Sequence, residues 1–192
     1  MKVKEIDPEI VVLEYRQEQT DKGYGSCLWA RFYFNLDNWE LMITSDCGNY
    51  GYRWGAGNGE TYLELMARCG EHYLREKLCG KPKEFDYEAT KERFYSYYGE
   101  EPEDRAKLDE IFEAIESYHE PESGETFLTM FDNLNVDENN HAIFCDTWEM
   151  PMYDYAPWEK RICQIFKECI QPEIRKIVKE TKDFMKGVND EG

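Results

Sequence analysis

Between Leu108 and Glu159 the sequence has no lysine and no arginine, yet it places 14 aspartates and glutamates there. The whole chain is short of positive charge: 23 Lys+Arg face 41 Asp+Glu over 192 residues, a formal net charge of −18. This weighs against direct nucleic-acid binding, which needs a basic patch to meet phosphates. Histidine is scarce, with three in the chain, so imidazole chemistry has few candidates. No apolar run approaches the ~18 residues of a membrane span. The opening stretch, Met1 to Pro8, lacks the apolar segment of a secretory signal. The seven cysteines are an odd number without a paired framework, which fits reduced thiols in a cytoplasm.

What is present argues for a folded protein. Aromatics make up 15% of the residues, whereas a disordered acidic tail would lack them. Charged residues make up 33%, above the usual ~25%. The charge is uneven. Residues 1–107 carry 21 acids and 15 bases, and residues 160–192 carry 6 acids and 8 bases.

The residue pattern gives an α+β reading. An N-terminal antiparallel β-meander of about four strands is covered by a helix, and a mainly helical acidic region follows. Strands are expected at 9–15, 27–36, 39–46 and 50–54, with tight turns at Asp37-Asn38 and Gly48-Asn49. Those turns pair Leu36 with Trp39, Phe34 with Leu41, Phe32 with Ile43 and Ala30 with Ser45. They also pair Cys47 with Tyr50, Ser45 with Tyr52 and Ile43 with Trp54. Period-two alternation then puts all these residues on one apolar face. A helix over 60–79 covers that face, with Leu63, Met66, Ala67, Leu74 and Leu78 at helical spacing. Helices are expected at 87–98 and from Pro102 to Tyr118, and short strands near 126–131 and 142–148. A final helix starts near Pro157, is kinked or split by Pro172, and ends near Met185. The division is 1–80 against 81–192, the second part packed on the first or forming its own lobe.

Several constellations suggest chemistry. Gly55-Ala-Gly-Asn-Gly59 could hold an anion, but it lacks the Walker lysine and the full dinucleotide fingerprint, so it reads as a flexible connection. Cys69 and His72, with Cys79 and a distant Cys47, could seed zinc. Only one close ligand pair exists, so these read as partly buried thiols, and Cys163 and Cys169 as helix core. Asp46 and Arg53 are placed to form a structural salt bridge across a hairpin. No nucleophile motif is present. The chain reads as a non-enzyme with no cofactor, and a metal-dependent enzyme using Cys69, His72 and acids is the remote alternative.

The sharpest feature is an acid stripe on the 102–120 helix. Asp109, Glu113, Glu116 and Glu120 recur at i, i+4, i+7 and i+11, which spaces carboxylates ~5–6 Å apart. Glu122, Glu125, Asp132, Asp137 and Glu138 extend it. Helices gain from opposite-sign neighbours, and from Leu108 to Glu159 no Lys or Arg supplies one. A solvated helix face is the plain reading of such a stripe, and a surface for a basic macromolecular partner is the functional one. Trp148, Tyr153, Tyr155 and Trp158 suit such an interface as aromatic anchors and equally suit a core.

The stretch Ser45-Asp-Cys-Gly-Asn-Tyr-Gly-Tyr-Arg-Trp-Gly55, with Tyr73-Leu74 and Lys77-Leu78 beyond it, resembles small acidic phage and prophage proteins. The resemblance covers about residues 39–80. It implies a mobile-element origin and action in the host bacterial cytosol. Small acidic proteins of that origin are often inhibitors of host defence, including anti-CRISPR proteins that block Cas9-type nucleases, and this chain is similar to those in size and charge. The expected partner is a basic host protein, a CRISPR effector nuclease, with no nucleic acid or membrane bound directly. An antirestriction protein, or another acidic module for a basic host DNA-binding protein, is the alternative. Sequence leaves the oligomeric state open.

Overall fold

The structure, a computed structural model, describes residues 7–21, 23–55, 57 and 59–190, the last five by backbone alone. Two compact units emerge from the packing. One gathers the described residues of Met1–Lys81 and Ala156–Gly192, and the other is Pro82–Tyr155. The second unit is inserted in the chain of the first, so residues 156–190 pack with the N-terminal sheet rather than with 82–155.

The first unit is built on a four-stranded antiparallel sheet, β1 (Ile10–Arg16), β2 (Trp29–Asn35), β3 (Glu40–Ser45) and β4 (Gly48–Arg53), in that order. The β2–β3 register is the one the apolar alternation requires: Ala30, Phe32 and Phe34 face Ser45, Ile43 and Leu41. The β3–β4 register differs from the expected one. The loop is Asp46-Cys47, so Ser45 pairs with Gly48, Ile43 with Tyr50 and Leu41 with Tyr52. Two causes are visible. Gly48 takes φ 118, a left-handed value open to glycine. Asp46 turns back to accept the backbone N–H of Leu28 and Trp29 at 2.9 and 3.3 Å. The slip is even-numbered, so every side chain keeps its face. Asp46 and Arg53 form no ion pair: Arg53 donates to the Asn38 carbonyl instead, at 3.2 Å.

The expected single helix over 60–79 is two, α1 (Tyr62–Arg68) and α2 (Glu71–Cys79). Thr61 and Glu64 form a reciprocal capping box at the start of α1. The chain returns after the second unit as α6 (Pro157–Ile165), a π-helical segment (Phe166–Ile170) and α7 (Gln171–Asp190). The wide π turn sits just before Pro172, whose ring removes a helix donor, as expected from the sequence. Gln171, fully buried, donates to the carbonyls of Met66 and Cys69 at 2.9 and 2.7 Å. It thereby satisfies the backbone freed where α1 breaks. The π turn also rotates the helix face, leaving Cys169 exposed rather than in the core. Phe32, Phe34, Leu41, Met66, Leu74, Ile162 and Phe166 form the core of this unit. Each side chain of this class contributes ~1.5–3 kcal/mol of transfer free energy.

The second unit opens with β5 (Glu84–Asp86) and closes with β6 (Met152–Asp154), which pair antiparallel. Between them lie α3 (Tyr87–Tyr98), α4 (Pro102–Tyr118) and α5 (Gly124–Leu134). The strand expected at 126–131 is therefore helix. Ser123 caps it, and Phe127 and Phe131 bury one turn apart. The strand expected at 142–148 reduces to an isolated bridge, Val136 to Ala142, and a 3-10 turn at Thr147–Glu149. Phe94 centres the aromatic core, 4.4 Å from the Phe131 ring and 5.6 Å from that of Phe127. The fold is α+β.

Candidate functional site

The two units divide the charge very unequally. Residues 82–155 hold 21 of the acids and 5 of the bases, a net −16, leaving 20 acids and 18 bases, or −2, for the rest of the chain. The acidic character belongs to one compact body.

On α4, Leu108, Ile111, Phe112 and Ile115 turn inward and are buried. Helical geometry then forces the intervening carboxylates outward. Asp109, Glu113, Glu116 and Glu120 are all exposed, as are Glu122, Glu125, Asp132, Asp137 and Glu138. Their engagement differs. The Tyr95 hydroxyl donates to Asp109 Oδ1 at 2.6 Å. Lys91 Nζ reaches Glu116 Oε1 at 2.5 Å, and the Tyr87 hydroxyl reaches it at 3.3 Å. Asp109 and Glu116 thus form a seam with α3. Lys91 holds the Glu116 carboxyl below its ordinary range. Burial, reinforced by the bond to Asp109, pushes the Tyr95 phenol up. Asp132 accepts from the Thr147 hydroxyl at 3.1 Å. Asp137 accepts the backbone N–H of Asn139 and His141, both at 2.8 Å, and organises a turn. The bond from His141 depresses its carboxyl. Among the described residues, the carboxylates of Glu113, Glu120, Glu125 and Glu138 have no hydrogen-bond or ion-pair partner in the fold.

Sequence reasoning missed Glu100, Glu101 and Glu103, exposed around the start of α4. The signal was there: acids clustering at Pro102 complement a helix N-terminus. Of the aromatic anchors, Trp148 is 68% exposed and Tyr153 47%, while Tyr155 is buried at 7%. Trp158 is exposed but belongs to the first unit. Within that first unit, Lys176 bridges Glu173 at 2.6 Å and Lys182 bridges Glu64 at 2.5 Å.

Cys69 and His72 lie on either side of a helix break. The break at Gly70 places Cys69 outside α2, buried, with His72 exposed on the helix. Among the described residues, the one group of three metal-capable side chains is Cys27, Asp46 and Cys47. Cys27 Sγ donates to Asp46 Oδ1 at 3.4 Å, and the neighbouring thiols shift each other, Cys47 down to about 7 and Cys27 up. In the glycine-rich segment 55–59, residues 56 and 58 lie outside the described residues. No described helix is long and apolar enough to cross a membrane.

No curated protein and no solved structure matches the chain. A model described as a phage family matches residues 1–176.

Proposed function

We propose that this chain, which belongs to a phage protein family, is a non-catalytic inhibitor whose inserted acidic unit occupies a basic nucleic-acid-binding surface of a host defence nuclease. The observation that carries the reading is the confinement of −16 of the chain's −18 charge to residues 82–155. Such a body raises encounter rates with positive surfaces at the expense of self-repulsion. Cas9-type nucleases fit as the target class. They hold the guide–target heteroduplex in a positively charged channel and read a short duplex motif with arginines. The free carboxylates of Glu113, Glu120, Glu125 and Glu138 are the groups available to those cations. Exposed Trp148 and Tyr153 would add the apolar anchoring that charge alone lacks.

The test is DNA cleavage by a guide-loaded Cas9-type nuclease with increasing amounts of this chain, beside unbiased capture of its partners from a nuclease-treated bacterial lysate. The reading expects cleavage to stop and the effector to be captured. Recovery of a different basic DNA-binding protein would favour the antirestriction form of the proposal. Undisturbed cleavage with no basic protein captured would defeat both.

A further inference from the structure

We propose that the first unit carries a binding site for a thiophilic divalent cation of the zinc class, formed by Cys27, Asp46 and Cys47. Each offers one ligand atom, and the three atoms lie within 4.8 Å of one another. They come from separate places in the chain. Cys27 lies just before β2, and Asp46-Cys47 is the loop between β3 and β4. The β2–β3 register, which ends on Ala30 opposite Ser45, brings the two together.

The donor set fits the ion. Two thiolates select zinc-like metals over magnesium or calcium, and a carboxylate completes a mixed set. Zinc–sulfur bonds of ~2.3 Å place tetrahedral ligand atoms about 3.8 Å apart. A group already within 4.8 Å needs a contraction of at most about 1 Å to close on the ion.

The surroundings hold the ligands in place. The Asp46 carboxylate is fixed by the backbone N–H of Leu28 at 2.9 Å and of Trp29 at 3.3 Å, and Cys27 Sγ lies 3.4 Å from its Oδ1. Ser45 Oγ sits 3.5 Å from Cys47 Sγ, and the Tyr50 hydroxyl donates to the Cys47 carbonyl at 2.8 Å. Outer hydrogen bonds of this kind orient metal ligands. Cys27 is buried, Cys47 half-buried and Asp46 exposed, so the group has one open side through which a cation can enter. Two thiols alone would suffice for a disulfide. The carboxylate beside them adds a third donor atom, which a disulfide would not use and a zinc-class ion can. The group has three members, which leaves the fourth tetrahedral position to water or an external ligand.

The experiment uses the full chain, reduced and stripped of metal, titrated with Co²⁺ as a spectroscopic probe and then with Zn²⁺. The expected result is one Co²⁺ per chain, with thiolate-to-metal charge-transfer absorption and tetrahedral d–d bands that Zn²⁺ abolishes. Cys47→Ser and Asp46→Asn should each weaken Co²⁺ binding at least about tenfold, while Cys145→Ser leaves it unchanged. Alkylation mapped by mass spectrometry on the unsubstituted chain gives a readout that needs no variant: Zn²⁺ should protect the half-buried Cys47 but not the exposed Cys145. Absence of the charge-transfer band, its survival in Cys47→Ser, or a Cys27–Cys47 disulfide forming with equal ease in the presence of Zn²⁺ would overturn the assignment.

Discussion

Gln171 is the residue on which the helical layer of the first unit turns. Its amide sits fully buried between α7 and the α1–α2 break and caps two carbonyls there. Gln171→Ala leaves the Cys69 carbonyl without its donor and the Met66 carbonyl with only the long 3.4 Å bond from the Cys69 N–H, and a buried unsatisfied group costs ~1–3 kcal/mol. The variant should lose about 2–3 kcal/mol in urea unfolding, with helix content retained by circular dichroism. Glu64 is the second such residue. It closes the capping box and takes Lys182 at 2.5 Å. Lys182, with the Thr61 bonds, draws its carboxyl from 4.5 down to about 2. A depressed carboxyl contributes stability above its unfolded value, and that contribution is lost as pH falls through the folded one. The melting-temperature gap between the natural chain and Glu64→Gln should therefore be constant above pH 4.5 and close toward pH 2. A gap that widened on acidification would show that the ion pair contributes no stability.

At the scale of elements, what the sequence displayed locally was legible and what tertiary contact decides was not. Period-two alternation identified the meander and its buried face, because Phe32, Phe34, Leu41 and Ile43 have one way to be buried together. The slip at β3–β4 was not legible because Gly48-Asn49 looks like a turn, whereas the left-handed Gly48 and the reach of Asp46 back to Leu28 go with a loop at Asp46-Cys47. The break between α1 and α2 depends on a glutamine 105 positions from Met66. Gly70 is the local hint of it, but a lone glycine is tolerated within helices and does not by itself fix a break. Phe-Leu-Thr-Met-Phe at 127–131 has strand-like composition, yet Phe127 and Phe131 lie one helical turn apart and both are buried. Ser123 then fixes the start of α5 by accepting the Thr126 N–H at 3.1 Å. Ser123→Ala should cost about 1 kcal/mol, read from the unfolding midpoint of Trp148 fluorescence, the one tryptophan of residues 82–155. The acid stripe was legible as composition. That α3 takes up Asp109 and Glu116 was not, because Lys91 and Tyr95 meet them only through helix packing.

For the whole molecule, the insertion of one unit into the chain of the other separates two sets of features. The first unit has nearly balanced charge, carries the sheet and the large aliphatic and aromatic core, and holds the Cys27–Asp46–Cys47 group. The second has its own aromatic core around Phe94 and carries the anionic field. Exposed charge of this kind acts over a Debye length of ~8–10 Å near physiological salt, so its contribution to the proposed binding is expected to fade as salt rises.

The measurement that bears most directly on this account is the rate of association with a guide-loaded Cas9-type nuclease across about 0.05 to 0.3 M salt, for three forms of the chain. The unsubstituted chain should associate fast and slow steeply with salt. Glu113→Lys/Glu120→Lys, which reverses two carboxylates with no partner in the fold, should slow association about tenfold or more at low salt and leave the melting temperature near its starting value. Glu116→Gln, which breaks the pair with Lys91, should lower the melting temperature and change association little. Equal association rates for the charge-reversed and unsubstituted chains, with no salt dependence in either, would contradict the account.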